Sequence, residues 1–485
     1  MSPTRAELFS RRALPARGTR VGGIRGVRHE LFLAAGVVLA LLCCPCGVAA
    51  QGSADGSVSV MTDVLPDVST SEGRQAVGEV RMRLFGDLRR TFGDHLQLRA
   101  AGFVDGLLGR CWPASGVAPA ACGARDGRGR AAVLRPTDLY VEWRAEHAEV
   151  RAGASRVVWG RLDEFQPGDV VNPLDLSRFL LEGRSEARLA SAMIRGRAFL
   201  PGAWTVEGVA VPWFRRGQFD QLGEEDSPFN LGPKLPPCAG GPNVCPTLLR
   251  ADSSPRSGAD AWQGGGRLTG TIGRVDVGGS VYRGFEAFPV HDLHVVPTFA
   301  PGPPVFALNS FHPRFTMVAG DFETVRGPWG LRGEVAYFPE TTLQSMGANT
   351  TTGVPGRTLA AGVGADRKTG DYRVAANVVV TRRRLDLDLL SRAPVRPFDS
   401  GVESTDVLMV GWAERSFARE TGTVRVLAAY NPDADSLFIR AIGGWSLRDD
   451  VALEVSGGWL RGDGQDLLSR LAQRDFVYAR LKVHF

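Results

Sequence analysis

The feature that most constrains this chain is a two-residue alternation of apolar and polar side chains, repeated in segments of about ten residues. The stretch 79–84 reads Glu-Val-Arg-Met-Arg-Leu, and 139–144 reads Leu-Tyr-Val-Glu-Trp-Arg. Successive side chains of a β-strand point to opposite faces, so each segment predicts a strand with one apolar and one polar face. A soluble β-sandwich shows the same alternation, and other features must decide between the two.

The carboxyl-terminal segment favours a barrel of the bacterial outer membrane. Residues 476–485 read Phe-Val-Tyr-Ala-Arg-Leu-Lys-Val-His-Phe, with small or apolar side chains and the terminal Phe485 on one face. A last strand that ends in Phe resembles the recognition signal of outer-membrane barrels. This resemblance implies two partners, the barrel-assembly machinery and outer-membrane lipid.

The connections between the segments alternate in length. Short turns at 146–147, 272–274, 420–422 and 448–449 alternate with long connections at about 106–133, 214–259, 286–312, 340–356 and 382–404. Short turns at one end and long loops at the other are typical of outer-membrane barrels. Downstream of residue 75 we count 17 segments, and a further strand at 57–64 lets the chain start in the periplasm. The predicted fold is all-β: a single antiparallel transmembrane β-barrel of about 18 strands, or 16 if a weak segment such as 188–200 is misassigned.

The first 50 residues have the composition of an export signal. A basic stretch ends at Arg28, an apolar run of 12 residues follows at 31–42, and small residues occupy 48–50. This order predicts a signal peptide, residues 1–50, and a barrel domain over 51–485. A twin-arginine signal and a lipoprotein are the alternatives. The leader carries seven Arg and two Glu, which account for the whole net charge of +5, so nothing supports a nucleic-acid partner.

Four Cys residues remain after the leader, in two pairs that are close in sequence. Cys111 and Cys122 flank a stretch rich in Pro, Ala and Gly, and Cys238 and Cys245 flank Ala-Gly-Gly-Pro-Asn-Val. Local pairing closes the shortest loops, so we predict a disulfide within each pair, in external loops and in an oxidising compartment. Four free thiols are the alternative.

The alternation stops between residues 157 and 190. Asn172 and Pro173 form an N-cap followed by Pro at the first helical position, and Asp175 would lie in the first turn, where a carboxylate suits the helix dipole. Apolar side chains at 176, 179 and 180 share one helical face, and Gly183 is a plausible stop. The pattern predicts a short helix over 173–182.

Charges of both signs crowd this segment beside aromatic side chains. The mixture suits a segment that folds into the barrel lumen, is tied to the wall by Arg–carboxylate pairs and narrows or partly plugs the pore. A surface loop with a helical turn is one alternative. A calcium site on Asp163, Glu164, Asp169 and Asp175 is another, although their spacing does not fit an EF-hand loop. The candidate pore residues are Trp159, Arg161, Asp163, Asp169, Asn172, Asp175, Arg178 and Glu182.

Two motifs in the segment carry a family resemblance. Trp-Gly-Arg-Leu-Asp at 159–163 and Asp-Val-Val-Asn-Pro-Leu-Asp at 169–175, with the Pro-terminated strand at 207–212, resemble a signature of a proteobacterial outer-membrane barrel family of unknown function. Members of that family often occur beside lipid-exporting transporters of the resistance-nodulation-division type. The resemblance implies a role in moving hydrophobic compounds and an inner-membrane exporter as a partner.

No Ser/His/Asp arrangement or phosphate-binding Gly loop stands out in the sequence. We therefore expect an outer-membrane channel or transport protein for small or hydrophobic compounds that is not an enzyme and has no cofactor or metal. A structural or partner-docking barrel of an envelope export complex is the alternative. An outer-membrane hydrolase is the remaining enzymatic one, and serine-directed labelling would detect it.

Overall fold

The computed structural model describes residues 50–70, 73–113, 128–176, 179–218, 245–255, 258–297, 302–346, 351–385, 403–464, 466–472 and 474–485. The predicted leader, 1–50, lies outside these ranges apart from its last residue. The strands are β1 Ala50–Thr70, β2 Gly73–Phe92, β3 Leu96–Pro113, β4 Arg128–Arg144, β5 Ala148–Ser155, β6 Ser191–Leu200, β7 Trp204–Val211, β8 Thr247–Ser253, β9 Gln263–Ile272, β10 Val275–Phe285, β11 Val290–Val296, β12 Val305–Phe311, β13 Arg314–Arg326, β14 Trp329–Met346, β15 Thr351–Thr369, β16 Tyr372–Leu385, β17 Glu403–Phe417, β18 Gly422–Asn431, β19 Ser436–Ser446, β20 Val451–Arg461 and β21 Phe476–His484. Helices of four residues lie at Phe179–Glu182, Arg184–Ala187 and Leu467–Arg470, with a 3-10 turn at Ala259–Ala261.

Eighteen of these strands form one closed antiparallel barrel. Each pairs with the next along the chain, except that β7 pairs with β9 and β10 pairs with β13 across the strands of the intervening connections. The first and last strands close the cylinder, in register from Ser57 opposite His484 to Val64 opposite Val477. The predicted barrel of 18 strands is confirmed, and the weakest predicted segment, 188–200, contains strand β6.

The two faces of the wall have opposite chemistry. On β2 the outward side chains Met82 and Leu84 are 59% and 52% exposed, whereas the inward side chain of Arg81 is 2% exposed. Inward-facing charges pair between adjacent strands, as Arg151 does with Glu142 at 2.5 Å. An apolar exterior around a charged interior is the reverse of a soluble protein and suits a barrel surrounded by lipid.

Outward aromatic side chains form two belts. One belt lies beside the short turns, with the exposed side chains Trp143, Phe199, Trp329, Tyr372 and Trp445. The other lies near the opposite strand ends, with Trp213, Trp262, Tyr430 and Trp459. Amphipathic rings collect at the two membrane–water interfaces, so the belts mark the membrane boundaries along the barrel.

Several predicted boundaries were wrong. The first strand, predicted at 57–64, runs over Ala50–Thr70. Strand β5 ends at Ser155 rather than at 159. Two connections predicted as loops contain β8, β11 and β12, in which β12 pairs parallel with β8 and antiparallel with β11. Hydrophobic alternation is weak in these short strands, which explains why they were missed. Within the described ranges, none of the helices is long and apolar enough to span a membrane.

Candidate functional site

The chain leaves the barrel wall where β5 ends, and Asn172 fixes the point of departure. Its Oδ1 accepts a hydrogen bond from the Val157 backbone N–H at 2.7 Å. Its Nδ2 donates to the backbone oxygens of Ser155 at 3.1 Å and Leu189 at 2.9 Å. One buried amide therefore replaces the strand pairing that ends here, and it joins the outgoing chain to the chain returning towards β6.

The helix predicted over 173–182 was wrong in its first half. Leu174 forms a β-bridge with Arg188, and Asp175 forms one with Gln218. The described helical residues are Phe179–Glu182 and, after Gly183, a second short helix at Arg184–Ala187. Asn172 is not an N-cap, because its side-chain oxygen is already bonded to Val157. The Asn-Pro pattern was thus correct as a sign of a side-chain–backbone bond but wrong about its partner.

Trp159 is the largest buried side chain of the segment. It is 1% exposed, and its Nε1 donates to Glu207 Oε1 of β7 at 2.7 Å. Arg195 of β6 pairs with the other oxygen of the same carboxylate at 2.5 Å. The indole also packs edge-on against Tyr282 of β10, with ring centroids 5.9 Å apart. The start of the segment, at Trp159, is therefore held by β6, β7 and β10.

Glu334 of β14 holds the far end of the segment. Its Oε2 accepts the backbone N–H groups of Arg161 at 3.0 Å and Leu162 at 3.5 Å, and its Oε1 accepts that of Gly168 at 2.5 Å. Glycine is required at Gly160, where φ is +119° and a Cβ would lie 2.8 Å from the carboxylate. The stretch 160–168 surrounds this carboxylate, and we call it the tip.

Charged side chains of the tip pair with the same part of the wall. Arg161 Nε donates to Asp321 of β13 at 2.5 Å, and its Nη1 donates to Glu323 at 3.0 Å. Asp163 accepts from Arg332 of β14, but its side chain remains 27% exposed. The chain thus crosses from β5 to β13 and β14, where its guanidinium and carboxylate groups find partners of opposite sign.

The return path of the segment carries a second set of pairs. Asp169 binds Arg184 at 3.1 Å and also pairs with Arg188, so it ties two parts of the segment together. Asp175, with 0% exposure, pairs with Arg135 of β4. Glu182 pairs with Arg81 and Arg83 of β2, the latter at 3.2 Å. The candidate Arg178 lies outside the described residues.

Seven of the eight candidate residues therefore form side-chain contacts within the segment or with the barrel wall. The partners Arg135, Asp321, Glu323 and Glu334 are not among the pore residues predicted from the sequence. A position on the inward face of a strand was the available signal. It could not show which wall residue faces which residue of the segment, because that depends on how the barrel closes.

Two apolar clusters lie inside the barrel on either side of the segment. The first contains the inward side chains Met61, Leu65, Val410, Ala429, Phe438, Leu460, Phe476 and Tyr478, together with Leu181 and the helix residues Leu468 and Leu471. The second contains Val157, Trp159, Val171, Met193, Val209, Val211, Tyr282, Phe315, Met317 and Ala336. The interior thus contains buried apolar packing between the segment and the wall as well as ion pairs, which the polar inward pattern of the strands did not predict.

Of the four Cys residues in the predicted disulfides, the structure describes the bonding of Cys245. Cys245 is disulfide-bonded, whereas its predicted partner Cys238 and the residue Cys122 lie outside the described residues. The side chain of Cys111 is not described either. We expect non-reducing peptide mapping of the full chain to find Cys111 linked to Cys122 and Cys238 linked to Cys245. A peptide linking Cys111 to Cys238, or free thiols, would contradict the pairing.

No group of three or more His, Cys, Asp or Glu side chains in the described ranges is arranged to hold a metal ion. The carboxylates of the alternative calcium site are separated: Asp163 pairs with Arg332, Asp169 with Arg184, and Asp175 with Arg135. Guanidinium groups occupy the positions that a cation would need. The segment is thus built as an ion-pair network.

Several solved structures are similar to this chain. OccAB3 of Acinetobacter baumannii is 8% identical, with 90% of this chain and 99% of that chain aligned at a TM-score of 0.47. OccK7 of Pseudomonas aeruginosa is 11% identical, with 90% and 98% aligned at 0.45, and a BenF-like porin of Pseudomonas fluorescens is 10% identical, with 90% and 98% aligned at 0.44. No curated protein matches the sequence. The family described as "Protein of unknown function (DUF1302)" matches residues 122–417, more than half of the sequence, and the chain therefore belongs to the DUF1302 family.

Proposed function

We propose that this protein is an outer-membrane channel for small or hydrophobic compounds, and that residues 157–190 set the width of its pore. The observation that carries the proposal is the path of the segment, which runs from β5 to Glu334 on β14 and back to Arg81 on β2. Barrels of this strand number leave a lumen wide enough for solutes unless something fills it. A segment anchored at both sides of the interior is therefore the element that decides what passes.

The interior supports transport of compounds with apolar parts. A water-filled porin lumen is lined with polar groups, whereas here Phe438, Phe476 and Tyr478 face inward in one cluster and Tyr282 and Phe315 in the other. The partly buried side chains Leu408, Leu427 and Phe165 pack beside the first cluster, and such apolar surface lowers the free energy of an apolar solute that leaves water. The proposed role is non-enzymatic, and failure of serine-directed probes to label the folded barrel is the expected result.

A second candidate is a structural or partner-docking barrel of an envelope export complex, with an inner-membrane exporter as its partner. It is favoured by the density of ion pairs between the segment and the wall, such as Arg161 with Asp321 and Glu182 with Arg83. Such a network would suit a closed barrel. Conductance separates the two proposals, because a sealed barrel gives no current steps in a planar bilayer.

We expect the mature chain, 51–485, to give small current steps in planar bilayers, and a variant lacking 160–184 to give much larger ones. Removing the tip and the first short helix removes most of the chain that crosses the interior, while β5 and β6 keep their own pairing. Heat-modifiable migration on gels reports whether each barrel has assembled.

A deletion of similar length, 290–311, serves as the control because it removes β11 and β12, which are not among the eighteen strands that close the barrel. We expect it to leave the conductance near that of the parent chain. An assembled barrel without 160–184 whose conductance is unchanged would contradict the proposed role of the segment. Absence of steps from every assembled variant would favour the docking barrel.

A further inference from the structure

Three hydrogen-bond donors on neighbouring strands face the barrel interior and lack acceptors. They are Nδ2 of Asn377 on β16, Nε1 of Trp412 on β17 and Nε of Arg425 on β18, each buried and without a hydrogen-bond partner in the described part of the chain. Asn377 is only 6% exposed. A buried donor without an acceptor loses its hydration and gains nothing in return, so three of them together call for an explanation.

The sheet register places these three side chains on one patch. Val410 lies opposite Asn377 and Trp412 lies opposite Ala375, so Asn377 and Trp412 are diagonal neighbours. Glu414 lies opposite Arg425, and the Arg425 guanidinium carbon lies 4.4 Å from the centre of the Trp412 ring. Trp412 lies opposite Leu427, so it is also a diagonal neighbour of Arg425. Each diagonal pair is within reach of one bound group, whereas Asn377 and Arg425 are two strands apart. We call Asn377, Trp412 and Arg425 the donor patch.

The surroundings of the donor patch are apolar. Leu162 of the tip lies over β15, where a Cβ on Gly362 would lie 2.6 Å from its Cδ1 and one on Gly364 would lie 3.3 Å from its Cδ2. The inward side chains Leu408 and Leu427 pack against the first apolar cluster, as does Phe165 of the tip. A group held by the donor patch would therefore have apolar side chains on either side of it.

A carboxylate of the protein already approaches the donor patch. Glu164 of the tip lies with Oε1 3.6 Å from Arg425 Nη2, too far for a hydrogen bond but close enough for charge attraction. Burial raises the pKa of Glu164, and the positive charge of Arg425 opposes that rise. Glu164 and Arg425 thus attract each other without forming a hydrogen bond. The Glu164 carboxylate is partly desolvated, and the Nε–H of Arg425 has no acceptor in the described part of the chain.

We infer that the donor patch binds the carboxylate of an amphiphile whose apolar chain lies along Leu408, Leu427 and Phe165, and that Glu164 competes with this carboxylate for Arg425. Trp412 presents two adjacent donors together with Arg425 on one side or Asn377 on the other, and two adjacent donors match the two oxygens of an acceptor-only carboxylate. The side chain of Arg425 is 32% exposed, so part of this side chain remains accessible although its Nε is buried. This inference deepens the proposed channel function by naming a class of substrate.

The test is equilibrium binding of dodecanoate to the full mature chain in detergent, followed by quenching of tryptophan fluorescence with a brominated analogue. Dodecanol, which has the chain without the carboxylate, and acetate, which has the carboxylate without the chain, are the comparison probes. We expect dodecanoate to bind at least about tenfold more tightly than either, because only it fills both parts of the site. Equal binding of dodecanoate and dodecanol would overturn the proposal.

Variants give two opposite expectations. Arg425→Gln should weaken dodecanoate binding about tenfold or more, since it removes the one charge of the patch. Glu164→Gln should tighten it several-fold, since it removes the competing carboxylate without adding a contact. A purely structural role for these residues would not produce tighter binding. Arg415→Gln, an exposed arginine of the same strand as Trp412, is the matched control and should change nothing.

Other outcomes are equally decisive. If Arg425→Gln fails to give a heat-modifiable barrel, Trp412→Phe tests the same patch by removing a neutral donor and keeping an aromatic ring, and unchanged binding would overturn the proposal. Dodecanoate binding by a barrel that shows no conductance would leave the site standing and refute the channel. Conductance without selective binding of dodecanoate would refute the site and leave the channel standing.

Discussion

Replacing Glu334 by Gln is expected to raise the single-channel conductance of the mature chain. Its carboxylate accepts the backbone N–H groups of Arg161, Leu162 and Gly168. An amide nitrogen cannot accept a hydrogen bond, so Gln must turn a donor towards one of these N–H groups. Hydrogen bonds to a charged acceptor contribute about 1.5–3 kcal/mol each. Losing about 3 kcal/mol would shift the balance between bound and released tip more than a hundredfold.

Glu323→Gln is the matched control. Glu323 lies on the neighbouring strand and contacts the same residue, Arg161. Its side chain is 40% exposed, and its contact with Arg161 is a single hydrogen bond from the guanidinium Nη1. Exposed ion pairs contribute about 0–1 kcal/mol, so the conductance should stay close to that of the parent chain. Equal effects of the two variants would show that Glu334 does not hold the tip. Both barrels must show heat-modifiable migration for the comparison to count.

The barrel itself was predictable because its signal is local. Lipid on one side and charged partners on the other impose a period of two on every wall strand, and a barrel closed by antiparallel pairs alone has an even number of strands. Those two conditions led to 18 strands even though the first, Ala50–Thr70, was recognised only over 57–64. The strands β8, β11 and β12 lie outside the membrane wall, where neither condition applies.

The departure of 157–190 from the wall was also visible, because the alternation ends there. Its partners were not, since Arg161 and Asp321 are 160 residues apart in sequence and Leu162 and Glu334 are 172 apart. Which wall strand faces the tip depends on the closure of β1 on β21 and on the tilt of the strands, and a single sequence contains neither.

The inward apolar clusters were missed for a related reason. Phe476 and Tyr478 share the inward face of β21 with Arg480. In the sequence, that face reads as polar because Arg480 and Lys482 dominate it. The apolar neighbours of these rings, such as Leu468 and Leu181, come from a connection and from the segment. Only the folded chain brings them together.

Asp175→Ala is expected to have the largest effect of any single substitution in the segment. Asp175 has 0% exposure and pairs with Arg135, which is 5% exposed. Removing one partner of a buried pair leaves an uncompensated charge and costs about 3–5 kcal/mol. We expect this loss in the free energy of unfolding, measured by urea titration of the barrel in vesicles, together with a higher conductance as the return path of the segment loosens.

Asp163→Ala should cost far less, about 1 kcal/mol or below, because Asp163 is 27% exposed and water can hydrate the Arg332 guanidinium that remains. A double substitution separates the loss of a pair from the burial of a lone charge. Removing Arg135 as well, in Asp175→Ala with Arg135→Leu, should recover much of the stability, since an apolar side chain replaces the unpaired guanidinium. Equal costs for Asp175→Ala and Asp163→Ala, or no recovery in the double variant, would show that the pair of Asp175 with Arg135 does not fix the segment to β4.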